Sequence, residues 1–127
     1  MEKAYIPTVS EEQQTLFSWA ALECQRRHPE LALLYHIPNG GARSRATAGR
    51  LKAEGVRAGV PDICLPVARG GYHALYIELK RVRGGRVSEK QEEMLAALAA
   101  QGNRCEVCKG WEAAKEAILR YLDSRQA

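Results

Sequence analysis

The most constraining stretch of the chain runs from residue 59 to residue 80, GVPDICLPVARGGYHALYIELK. It reads as two short strands joined by a hairpin loop around Gly70 and Gly71, the first opening with Pro61-Asp62. In the second strand Leu75, Ile77 and Leu79 alternate with Tyr76, Glu78 and Lys80, so the two sets leave opposite faces. Glu78 and Lys80 share one face, roughly 6–7 Å apart along the backbone, and hairpin pairing brings Asp62 alongside them. Two carboxylates and an ammonium at one sheet edge make a cation site with a charge partner beside it. Such a site suits metal-assisted hydrolysis of a phosphodiester. Alone, Pro-Asp is an ordinary turn opening and Glu-x-Lys a solvated ion pair. Their order and spacing around an apolar strand are what narrow the reading.

With these residues the chain resembles the PD-(D/E)xK nuclease superfamily, and within it the small stand-alone, phage- and bacteria-type VRR-NUC family. The likeness extends to residues 37–41 (IPNGG), Arg43, the run 49–62 (GRLKAEGVRAGVPD), and Ser88 with Gln91, and covers roughly residues 10 to 122.

Composition sets outer limits. At 127 residues, 46% of them hydrophobic, the chain is read as one domain with a core of its own and not as a disordered segment. A short tail, residues 1–7, precedes it, and residues 123–127 are expected to fray. No stretch approaches the roughly twenty apolar residues of a membrane span, and the N-terminus has no apolar signal core. A soluble, cytoplasmic protein of a bacterial or phage-infected cell is the expectation. Net charge is +4, from 19 Lys and Arg against 15 Asp and Glu, so the placement of basic residues matters more than their total.

Cys105 and Cys108 form a Cys-x-x-Cys pair that could be half a zinc site. There is no second such pair, His28, His36 and His73 lack ligand spacing to it, and on a strand the two thiols face opposite sides. They read, with Cys24 and Cys64, as structural thiols in a reducing compartment.

Taken in order, Thr8 or Ser10 caps a first helix, with Glu11 or Gln13 completing a capping box in either register. The helix runs to about Arg27 on an apolar stripe of Leu16, Trp19, Ala20 and Cys24, and Pro29 stops it. Residues 31–37 read as a buried strand, with a helical turn the alternative, and residues 38–41 as a turn. From Ala42 to Glu54 a polar helix carries Arg43, Arg45, Arg50 and Lys52, with Arg57 just beyond. These side chains, with Asn39 in the turn before them, are taken as the DNA-contacting set rather than as a merely solvated helix. A second basic stretch follows Lys80, with Arg81, Arg83 and Arg86. Ser88 and Gln91 form another capping box, opening a helix that ends at Gly102. A short strand over 104–108 and an amphipathic helix from Trp111 to Leu122 close the chain.

Apart from the basic helix and the last one, this order is the αβββαβ core of the restriction-endonuclease-like fold, an α/β class with a mixed central sheet flanked by helices. The resemblance implies a third metal-binding carboxylate on the first helix. Glu11 and Glu12 both compete for it; Glu12 lies on the inward face, while Glu11 suits the cap of Thr8. It also implies a place in the site for Gln91, and 5′-phosphate and 3′-hydroxyl products. Asp62, Glu78, Glu12 and the backbone carbonyl of Leu79 would hold Mg²⁺ or Mn²⁺, and Lys80 would orient water or stabilise phosphoryl charge. The function expected is that of a metal-dependent, structure-specific DNA endonuclease resolving four-way (Holliday) junctions as a homodimer. Candidate dimer surfaces are Trp111, Ile118, Tyr121 and Leu122 of the last helix and the apolar run 31–35. A monomeric flap- or fork-cleaving nuclease, a DNA-binding module without turnover and a structural metal protein built on Cys-x-x-Cys stay open as alternatives.

Overall fold

The computed structural model of the protein describes residues 4–38 and 44–124. Helix α1 (Val9–Arg26) begins at a complete capping box: Thr8 accepts from the Glu11 N–H, and the Glu11 carboxylate accepts from the Thr8 N–H. Of the two registers open in the sequence, the Thr8 one forms. Glu11 also accepts a hydrogen bond from the Tyr5 hydroxyl. The Thr8 N–H and that hydroxyl hold its carboxyl below the usual range.

Pro29 starts a 3-10 turn, Pro29–Leu33, which takes the first three residues of the strand read over 31–37 and matches there the helical-turn alternative. Only Tyr35–His36 remain extended as β1. Proline's fixed φ and the local hydrogen bond from the Leu34 N–H to the Leu31 carbonyl favour the tight turn over sheet pairing. Helix α2 (Arg45–Ala53), capped by Ser44, buries no side chain. Strand β2 (Ile63–Leu65) pairs antiparallel with β1 and with β3 (Leu75–Lys80), Ile63 lying opposite Ile77. The hairpin turns through Gly70 and Gly71, at φ +56° and +87°, between paired Arg69 and Tyr72. Positive φ at both central positions suits the right-handed twist of the flanking strands, and glycine adopts it without a Cβ penalty. Arg69 anchors the turn through a 2.6 Å ion pair with Glu30.

Helix α3 (Glu89–Ala100) is the crossover that lets β4 (Arg104–Lys109) run parallel to β3, giving a mixed sheet in the order β1-β2-β3-β4. Helix α4 (Trp111–Asp123) ends the described chain. Leu16 and Ala20 of α1 and Ala114, Ala117 and Ile118 of α4 pack with Ile63, Leu65, Leu75, Ile77 and Leu79 in one core. Fully burying such aliphatic side chains is worth about 1.5–3 kcal/mol each. The dimer surface expected on the last helix is not there: Ile118, Tyr121 and Leu122 are buried in the monomer's core and Trp111 packs against it. In the apolar run, Leu31 and Leu34 are buried as well, leaving Leu33 and Tyr35 exposed.

Candidate active site at the end of the central strand

The core takes the odd-numbered side chains of β3, so Tyr76, Glu78 and Lys80 leave the other face, where α3 lies. Asp62 immediately precedes β2, and its Oδ2 accepts a 2.8 Å hydrogen bond from the Leu79 N–H. That bond locks the first acid to the strand bearing the second. The Asp62 main-chain carbonyl is held from the end of β1, by the N–H of Ile37 just beyond it at 2.7 Å and by His36 Nδ1 at 2.8 Å, which must donate to a carbonyl. A strand residue's N–H and C=O leave the same edge, so the Leu79 carbonyl also faces the Asp62 side.

Glu78 is only 2% exposed. Its Oε2 accepts from Gln91 Nε2 at 3.1 Å and lies 3.6 Å from the Lys80 ammonium. Its Oε1 is buried and has no hydrogen-bond partner. Burial, then the facing Asp62 carboxylate, push the Glu78 carboxyl up to about 8, against the opposing pull of Lys80. A buried carboxylate oxygen without a donor, beside a second carboxylate, is a costly arrangement that a hard cation relieves. Asp62, Glu78 and the Leu79 carbonyl are all oxygen donors, the set Mg²⁺ and Mn²⁺ take, so the residues present fit such an ion.

Lys80 Nζ donates to Gln91 Oε1 at 2.9 Å. Gln91 is thus brought into the site as the resemblance implied, with its amide spanning the Lys80 ammonium and the Glu78 carboxylate. Glu12 is not brought there. It is 5% exposed, but its Oε1 faces the Trp111 N–H at 3.4 Å, at the start of α4, whose cap residue Gly110 supplies no side chain. Among the described residues no three His, Cys, Asp or Glu side chains gather as a metal-holding group. Glu12 reaches α4 because α1 lies against the core face of β3, opposite Glu78 and Lys80.

The basic residues divide similarly. Arg45, Arg50, Lys52, Arg57, Arg83 and Arg86 are exposed. Arg81 is exposed as well, but its guanidinium donates to the main-chain carbonyls of Ile6 at 3.0 Å and Pro7 at 3.3 Å, tying down the segment before α1. Asn39 and Arg43 lie outside the described residues. Cys105 and Cys108 stand on opposite faces of β4 as free thiols, Cys108 pushed up by burial to about 11. Sequence reasoning missed His36 as a support for Asp62, and the close approach of Gly59 to the Lys90 carbonyl in the first turn of α3. The only signal for Gly59 was a glycine just ahead of Val60-Pro61-Asp62.

A four-stranded mixed sheet flanked by helices, with an Asp at one strand's start and Glu-x-Lys at the end of its neighbour, defines a nuclease of the restriction-endonuclease-like superfamily. The chain belongs to the VRR-NUC domain family, whose sequence model matches residues 4–112. A solved structure described as a VRR_NUC domain protein superposes with a TM-score of 0.82 at 28% identity, over 98% of this chain and 94% of that one. No curated protein matches the chain. DNA is the substrate such a nuclease domain implies, and among the described residues no helix is long and apolar enough to cross a membrane.

Proposed function

We propose that the protein is a Mg²⁺- or Mn²⁺-dependent DNA endonuclease acting on branched DNA, foremost the four-way junction, as a homodimer. The observation that carries the metal-dependent reading is the buried Oε1 of Glu78, which no protein donor reaches and which faces the Asp62 carboxylate. Asp62, Glu78 and the Leu79 carbonyl would hold the ion, which supplies neutralisation of phosphate charge and a water more easily deprotonated near neutral pH. Lys80, a compact cation with three donors, keeps its head beside Glu78 and Gln91 and can donate to an attacking water or a phosphoryl oxygen. Exposed Arg45, Arg50 and Lys52 on a helix that buries nothing support a phosphate-contacting role for α2. Arg57, Arg83 and Arg86 extend that role on neighbouring segments, and Asn39 and Arg43 are assigned to it by sequence.

Symmetric resolution of a four-way junction needs two cuts on opposed strands, which a two-fold pair of single sites provides. Exposed Leu33 and Tyr35 are the large apolar side chains of the 31–35 run left for such pairing. The test is a cleavage panel of duplex, flap, fork and four-way junction DNA with Mg²⁺, run on wild type and Asp62→Asn, with light scattering at micromolar protein. Paired nicks in opposed junction arms by a dimer, lost in Asp62→Asn, are expected. A monomer that cuts flaps and nicks junctions only singly refutes the junction reading. Equal rates for wild type and Asp62→Asn refute the site.

A further inference from the structure

The first turn of α3 has a feature that its capping does not require. Gln91 is the N3 residue of the Ser88 capping box: its N–H donates to Ser88 Oγ at 3.2 Å, and its Oε1 accepts from the Ser88 N–H at 2.8 Å. The same Oε1 accepts from Lys80 Nζ at 2.9 Å, and Nε2 donates to Glu78 Oε2 at 3.1 Å. Two donors on one atom and an acceptor on the other fix which way the amide points. The turn is also fixed from the Asp62 side. Gly59, at φ +83°, lies so close that a Cβ there would sit 2.5 Å from the Lys90 carbonyl oxygen and 3.1 Å from the Gln91 nitrogen.

We propose that Ser88, an exposed residue with no contact to the reacting groups, is a positioning residue: its capping box holds the Gln91 amide so that Lys80 and Glu78 keep their relative placement. The inference rests on the nuclease reading of that site. Lysine's four-carbon stem has no preferred geometry of its own, so its ammonium stays where Gln91 Oε1 and Glu78 Oε2 hold it. Loosening the box lets the amide turn, and displaced catalytic groups lose rate even when nothing that touches the substrate has changed.

Two variants break the box to different extents, one bond in the first and both in the second. Ser88→Gly removes the hydroxyl, and glycine is nearly as good a cap residue as serine, so the thermal midpoint should fall by no more than about 2 °C. Ser88→Pro removes the hydroxyl and the N–H together, at a position whose φ of −77° proline adopts. In each, kcat should fall about tenfold, the size typical of removing outer-shell support, with DNA affinity unchanged. Ser88→Thr, which keeps the oxygen and the N–H, should restore the rate. In metal-free protein the Gln91 side-chain amide protons should exchange slowly in wild type and Ser88→Thr and quickly in the other two. Wild-type kcat and amide protection in both Ser88→Gly and Ser88→Pro would overturn the proposal. Failure of the wild type itself to cleave any DNA with Mg²⁺ or Mn²⁺ would refute the nuclease reading instead, while amide exchange still decides whether the clamp exists.

Discussion

Glu78→Gln is expected to make the metal-free protein more stable at pH 8, and to abolish the cleavage of DNA that the wild type performs with Mg²⁺ or Mn²⁺. Burial and the facing Asp62 raise the Glu78 carboxyl from 4.5 to about 8. Between those two values the folded protein holds a proton that the unfolded chain has released. Because the folded state binds more protons, stability falls as pH rises through that window. At about 1.4 kcal/mol per pH unit, the full loss on going from below pH 4.5 to above pH 8 is roughly 5 kcal/mol. Relaxation around the charged carboxylate reduces it, so a difference of at least about 2 kcal/mol should be measurable. Glutamine keeps the size of the neutral acid and cannot ionise, so the variant should lack this component of the pH dependence. Urea unfolding in EDTA at pH 5, 6.5 and 8 measures it: the two proteins should nearly coincide at pH 5 and separate progressively above, the variant being the more stable. Mg²⁺ or Mn²⁺ at pH 8 should then stabilise the wild type and leave Glu78→Gln unmoved. If the wild type is as stable as the variant at pH 8 without metal, the reasoning from a strained, partnerless carboxylate is wrong.

Replacing Arg45, Arg50 and Lys52 together with Ala in an Asp62→Asn background should lower the salt slope of duplex binding by about 0.9 for each phosphate no longer neutralised, hence by up to about three. An unchanged slope across a salt titration would leave α2 a solvated helix. Gly59→Ala should cost both stability and rate, because the new Cβ meets main-chain atoms of Lys90 and the backbone there is at φ +83°. Thermal melts and single-turnover cleavage would show it, and a variant indistinguishable from wild type in both would mean the clash is easily relieved.

The gathering of Asp62, Glu78, Lys80 and Gln91 was legible because it is written in short-range patterns. Period-2 alternation put Glu78 and Lys80 on one face of a strand, the Gly-Gly pair implied the hairpin that delivers Asp62, and Ser88-x-x-Gln91 announced the start of a helix. Each depends on backbone geometry over a few residues, which local sequence fixes. Other features depended on which surfaces meet. Helical periodicity identified the inward stripe of α1, and Glu12 is indeed buried, but no periodicity says which face of the sheet a helix will cover. Only packing placed α1 on the Leu75, Ile77 and Leu79 side, so that Glu12 meets the start of α4 while α3 brings Gln91 to Glu78. The apolar stripe of α4 was equally compatible with a dimer seam, and it went to the monomer's core because its small Ala114 and Ala117 let the helix pack with β3 and β4. Arg81 belonged to a basic run by sequence, yet the fold brings two main-chain carbonyls within reach of its guanidinium. Identity and spacing determined which groups could do the chemistry, and long-range burial decided which of them share a site, since apolar area is indifferent to the charges it carries with it.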